Sequence, residues 1–195
     1  EAAAAEAAAV LAEVESELEP AMLQRERAIA SIDEINLRDI GEFRGFRNPP
    51  AGTVDTLGLL GHMVRGTFEG LTFQHGELQT GFQHIKRWLA APRILMDAMR
   101  REVPHENVQR VKALLEKRGD ASAESLGWRL GFTQTIGRWI DASIAADEVS
   151  HPLGPRIQAC RALWERSAEA NEEFRKAEAV VCNQSRQIQD LEVLR

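Results

Sequence analysis

The sequence contains no tyrosine, and aromatic residues fill only 6% of its 195 positions. So little aromatic volume argues against one large compact core. Cysteine is nearly absent: Cys160 and Cys182 fall on helical pattern, at neither disulfide nor metal spacing. They read as ordinary packing residues in a reducing compartment. No apolar run approaches the roughly 18 residues that a membrane span needs. There is no G-x-x-x-x-G-K-[ST] loop, no HExxH, no CxxC and no nucleophile elbow. The five histidines (His62, His75, His84, His105, His151) are scattered without metal-ligand spacing and read as exposed or capping residues. The expectation is therefore a protein without catalysis, cofactor, metal or membrane span. No signal-peptide pattern and no initiator Met open the chain, which starts and stops inside helical pattern. It reads as a segment of a longer protein.

What the chain does hold is Ala, Glu, Leu and Arg, the composition of helices and coiled coils. Its charge is uneven. Residues 1–36 carry 9 acidic and 2 basic side chains, residues 37–139 carry 11 and 15, and residues 140–195 carry 10 and 7. A basic centre sits between acidic arms, and the overall pI near 5.5 hides it. Lys86 to Arg118 alone hold 9 basic and 4 acidic residues. A basic patch on an acidic protein suits a negatively charged partner surface.

Both ends show a seam. In the first arm, apolar or small residues recur at Ala4, Ala7, Leu11, Val14, Leu18, Ala21, Ala28, Ile32 and Ile35. The steps alternate three and four, as in a left-handed coiled coil. Arg25 breaks the seam, either as a side chain snorkelling to solvent or as a polar residue that sets register. Pro20 should kink or loosen this helix. The last arm repeats the alternation at Cys160, Leu163, Ser167, Ala170, Phe174, Ala177, Val181, Gln184, Ile188 and Leu191. Each arm spans roughly 50 Å as helix. Each has an incomplete face, and the nearest partner is the other arm folded back. Seams this weak leave alternative registers close in energy.

The middle is punctuated into short helices. Asn36 is a candidate N-cap for a helix from Leu37 to Phe46, with Leu37, Ile40 and Phe43 as its apolar face. Asn48-Pro49-Pro50 ends it. Further helices are expected at 53–64, 82–90, 93–101, 104–118 and 123–149. Residues 65–81 (RGTFEGLTFQHGELQTG) read as a loop with a short hairpin. Gly119 should end the fifth helix, and Pro152 and Pro155 mark the start of the last arm. Trp88, Trp128, Trp139 and Trp164 read as core anchors. The fold expected is all-α: an antiparallel two-helix coiled-coil hairpin capped by a small bundle of about six helices. Its parts are a first coil at 1–36, a globular tip at 37–153 and a second coil at 154–195.

The order of these motifs resembles the distal stalk and tip of dynein heavy chains over nearly the whole chain. "ELEPAML…AIASI" followed by "INLRDIGEFRGFRNPP" is similar to that family's first coil and first tip helix, with Glu19-Pro20, Arg44 and the Pro49-Pro50 break. "GFQHIKRWLA" looks like the third tip helix, with Phe82 where a Trp is usual. "IGRWIDASIAADEVSHPLGP" looks like the sixth, with Arg138, Trp139 and then Pro155. The small-residue stretch usual before that Trp is replaced by "WRLGFTQTIG", which puts Trp128 where a basic residue is expected, with Arg129 beside it. The long 65–81 loop is closer to axonemal than to cytoplasmic members.

The resemblance implies a fragment that binds microtubules and does not hydrolyse nucleotide, from a chain whose remote ring does. Its partner would be α/β-tubulin, with a dynein light chain as a second candidate, in the cytoplasm, on the cytoskeleton and in the axoneme of a cilium or flagellum. The first, third and sixth tip helices would face tubulin, through Arg38, Arg44, Arg47, Lys86, Arg87, Arg129 and Arg138. Sliding of one stalk helix along the other would carry the signal. The rival expectation is a coiled-coil scaffold whose tip binds another protein. Nucleic-acid binding lacks a recognition helix or an aromatic sheet.

Overall fold

A heptad stripe is buried only where another surface covers it, and the computed structural model shows where that happens. The structure describes residues 2–50, 52–119, 122–127 and 130–193. Among them the chain is mostly helical. The order is α1 (Ala2–Ile32), α2 (Leu37–Gly45), α3 (Thr53–Met63), β1 (Phe73–Gln74), β2 (Glu77–Leu78), α4 (Phe82–Trp88), α5 (Pro92–Arg100), α6 (His105–Arg118), α7 (Ala123–Gly127) and α8 (Gly131–Val193). No helix is long and apolar enough to cross a membrane, among the described residues.

The chain separates into two compact units. One runs from Leu18 to His151; the other joins the first arm up to Glu17 with the second arm from Pro152. The second half of α1 therefore belongs to the tip unit, where the sequence reading drew the boundary at residue 36. The reason is burial: Ala28, Ile32 and Ile35 sit in the same core as Ile40, Phe43, Leu57 and Leu60. The first arm's stripe is legible in exposure, with Val14, Ala21, Ala28, Ile32 and Ile35 buried. Arg25 is half-buried and has a partner within the tip unit that the heptad does not reveal. Its Nη2 donates to the carbonyl oxygen of Arg101 at 3.2 Å, the residue capping α5. A cation there satisfies a terminal carbonyl and opposes the negative end of the helix dipole.

The second arm departs from its expected seam. Leu153 and Cys160 are buried, but Leu163, Phe174 and Val181 are exposed, as is Trp164. Trp88 and Trp139 are core anchors as expected; Trp128 lies outside the described residues. The prolines lie inside helices, and the boundary between the two compact units falls at Pro152, where the sequence placed the start of the last arm. Helix α1 runs through Pro20, and α8 runs through Pro152 and Pro155 without a break. All three prolines are exposed, so water can take up the carbonyls that lose their N–H partners.

In the tip unit, α3 is buried on nearly every side and packs against α4, α6 and α7. Asn107, buried on α6, closes the end of α3 by donating to the carbonyls of Met63 (3.0 Å) and Arg65 (2.8 Å). Helix α2 begins as expected: the Asn36 side chain accepts from the Arg38 amide at 2.9 Å. Ile40 and Phe43 are buried, but Leu37 stays at the surface. The 65–81 loop carries the hairpin, with Phe73 opposite Leu78 and Gln74 opposite Glu77. Its turn residues His75 and Gly76 both have positive φ, as tight antiparallel turns demand. Helix α6 ends at Gly119, in the left-handed region.

The expected sixth helix is split into α7 and the start of α8. Helix α7 starts under Asp141 of α8, whose carboxylate accepts from the Ala123 and Glu124 amides at 2.8 and 3.0 Å. Gly137 lets α8 approach this closely. A Cβ there would lie 2.5 Å from Glu124 Cα and 2.7 Å from the Ala123 carbonyl oxygen. Both are backbone atoms and cannot swing aside. Gly137→Ala should therefore destabilise the tip by about 1–3 kcal/mol. The check is the urea midpoint of the purified chain; an unchanged midpoint would contradict the packing described.

Candidate functional site

The residues that assemble the basic surface meet at one buried ring. Phe43 of α2 contacts Phe82 of α4 (centroids 5.3 Å), Phe132 of α8 (5.6 Å) and Phe46 (5.9 Å), each edge to face. Edge-to-face pairs of this kind add about 0.5–1.5 kcal/mol each beyond area burial. The first, third and sixth tip helices of the sequence reading are thus fastened together at Phe43.

Lys86 reinforces the junction. Its Nζ donates to the carbonyl oxygen of Phe46 at 2.8 Å and lies 4.4 Å from the Phe82 ring centroid. Phe46 is the C-cap of α2, so the ammonium sits where the helix dipole is negative. Arg44 and Arg47 flank that cap, and Arg87 adjoins Lys86. All three arginines are exposed. Among the described residues, no carboxylate lies within 4 Å of Arg44, Arg47, Lys86 or Arg87. The charge of the three arginines is free to act on a partner, while that of Lys86 is engaged by the Phe46 carbonyl and the Phe82 ring.

The other candidates are placed differently. Arg38 pairs with Glu42 at 3.0 Å, both well exposed. Arg138 pairs with Glu124 at 2.8 Å, and Gln134 donates to the same oxygen. Exposed pairs such as these are worth little in stability, but each carboxylate offsets the positive charge beside it. Arg129 lies outside the described residues. Glu42 was detectable by its spacing of four from Arg38; Glu124, fourteen residues before Arg138, was not.

Among the described residues, three ionisable groups of the tip are displaced from their ordinary behaviour. Burial pushes the Asp141 carboxyl up, against two backbone N–H bonds that pull it down. Lys112 is held protonated to higher pH by its hydrogen bond to Glu148, 2.5 Å away across α6 and α8. His62 of α3 is half-buried, and its Nδ1 has no hydrogen-bond partner. Burial holds its pKa below 6.5, and the charges of Arg110 and Arg65 act the same way.

The chain matches no protein-family profile and no curated protein.

The His62 shift has a defined sign. An unfolded chain takes up a proton near pH 6.5 that the folded chain still refuses, so stability is present above that pH and declines as pH falls below it. Urea unfolding at about pH 7.5 and about pH 5.5 should show this loss. His62→Gln should lessen the difference between the two conditions; an identical difference would place the pH dependence elsewhere.

Proposed function

We propose that the chain is the distal stalk and microtubule-binding tip of a dynein-type motor, acting on the cytoskeleton and in the axoneme. The observation that carries this reading is the Phe43 junction. It draws together the three helices that the resemblance assigns to tubulin, and it gathers Arg44, Arg47, Lys86 and Arg87 near one helix end, with no carboxylate within 4 Å of them among the described residues. Tubulin surfaces are acidic. Unpaired cations on a rigid support speed encounter and orient the complex, and salt screens them over about 8–10 Å.

The finer architecture is part of the proposal. Leu11 lines a small cavity with Cys160 and Trp164. Glu17 and Glu13 lie 3.7 and 4.0 Å from Arg156. The partner number falls on one arm as it rises on the other, which supports an antiparallel hairpin. Its seam is thinly apolar, as a two-register element requires if a remote motor is to bias it by a modest free energy. The tip would read that register through α1, whose Ala28 and Ile32 sit in the tip core.

Microtubule co-sedimentation at low and at raised salt tests the function. Binding should weaken with salt. Arg44→Glu and Arg87→Glu should each weaken it by about three- to tenfold, on the order of 1 kcal/mol. Arg38→Glu should cost less, because its charge is already engaged by Glu42. Absence of pelleting at low salt, with the arms crosslinked in either register, would sink the reading.

The hairpin has its own test. In a Cys182→Ser background, Leu11→Cys should be joined to Cys160 within one chain by a short thiol crosslinker. Crosslinks only between chains, or none, would overturn the antiparallel pairing.

A further inference from the structure

The histidines look scattered along the sequence, yet two of them meet in the fold. His105 opens α6, and its Nδ1 lies 3.0 and 2.9 Å from the two carboxylate oxygens of Asp147. Asp147 and His151 are four residues apart on α8, so they rise from one face of that helix. The rings of His105 and His151 stack, with centroids 3.4 Å apart and 6° between planes. One donor atom from each of the three residues lies within 4.8 Å of the other two. All three belong to the same compact unit. His105 and Asp147 are half-buried and His151 is exposed, so the cluster has a supported side and an open side.

We propose that His105, Asp147 and His151 form a three-ligand site for a zinc-class divalent ion, with water in the remaining position. Two imidazoles and one carboxylate are a donor set that Zn2+ accepts, and Co2+ follows it. Bonds of about 2.0–2.2 Å in tetrahedral array set donor atoms roughly 3.3–3.5 Å apart. The 2.9 Å contact of His105 with Asp147 needs only to open by a few tenths of an ångström. The ion takes the place of the Nδ1 proton along that contact, and the neutral imidazole carries its one proton on Nε2 instead. The stacked rings present their nitrogens side by side rather than converging. His151 must therefore turn about its side-chain torsions, which its exposure permits. The bound ion ties the first turn of α6 to α8 in the last turn before Pro152, closing a loop of chain 42 residues apart. The site stands whether or not the tip binds tubulin, because its readout is metal binding alone.

The test is calorimetric titration of the untagged chain with Zn2+ at neutral pH, with Co2+ absorption as a second measurement. The expected result is one ion per chain, a raised Tm, and a Co2+ spectrum without a thiolate charge-transfer band. That last feature separates the site from Cys160 and Cys182. His151→Ala, at an exposed position, should weaken affinity at least about tenfold, as loss of even a supporting partner does at metal sites. His105→Ala and Asp147→Asn should do the same. No saturable binding, affinity undiminished in His151→Ala, or a thiolate band would each overturn the proposal.

Discussion

Phe43 can occupy its position only if three other aromatic rings come to it. It lies on the one apolar face of a nine-residue helix that is otherwise charged, and such a helix has too little propensity to persist by itself. Packing against Phe82 and Phe132 gives α2 a fixed pose on α4 and α8. The bond from Lys86 to the Phe46 carbonyl then ties the end of the helix. Arg44 owes its placement to this junction, whereas Arg38 is also held within its own segment by Glu42. In the proposed role, an interface built on a buried ring keeps its geometry while its charges remain exposed and weakly committed.

Local chemistry was readable in the sequence wherever it acts within a few residues. Asn36 as a cap, Pro49-Pro50 as a break, Gly119 as a stop and the hairpin in 65–81 all follow from backbone preference, and each is where expected. The first arm's seam was readable because its period is regular, and Val14, Ala21, Ala28, Ile32 and Ile35 of it are buried. Non-local chemistry was not readable. Arg25 looked like a flaw in a heptad, because nothing in the heptad reveals that the Arg101 carbonyl lies opposite. The split near residue 130 is decided by Asp141 and Gly137, whose effect depends on α8 folding against α7. Exposed prolines did not break their helices, because water can replace the lost internal bonds.

The basic centre shows the same division. A count of charges by segment located it, but could not say which charges are free. The Arg138–Glu124 pair crosses two helices, and only folding reveals that it subtracts from the field. The cluster of His105, Asp147 and His151 is the clearest case. Two of its residues are an i, i+4 pair on α8, and the third, His105, lies 42 residues before Asp147 on α6. Spacing alone shows one i, i+4 pair and a distant histidine where the fold presents three donors.

The carboxylate of Asp141 also fixes an order of events. Helix α7 has five residues, too few to nucleate unaided, and its first amides are satisfied by a side chain that comes later in the chain. That short helix cannot be an early seed of folding; it forms when α8 arrives. The amide hydrogens of Ala123 and Glu124 consequently act as a built-in gauge, exchanging with solvent whenever α8 lifts away and staying protected while it is seated.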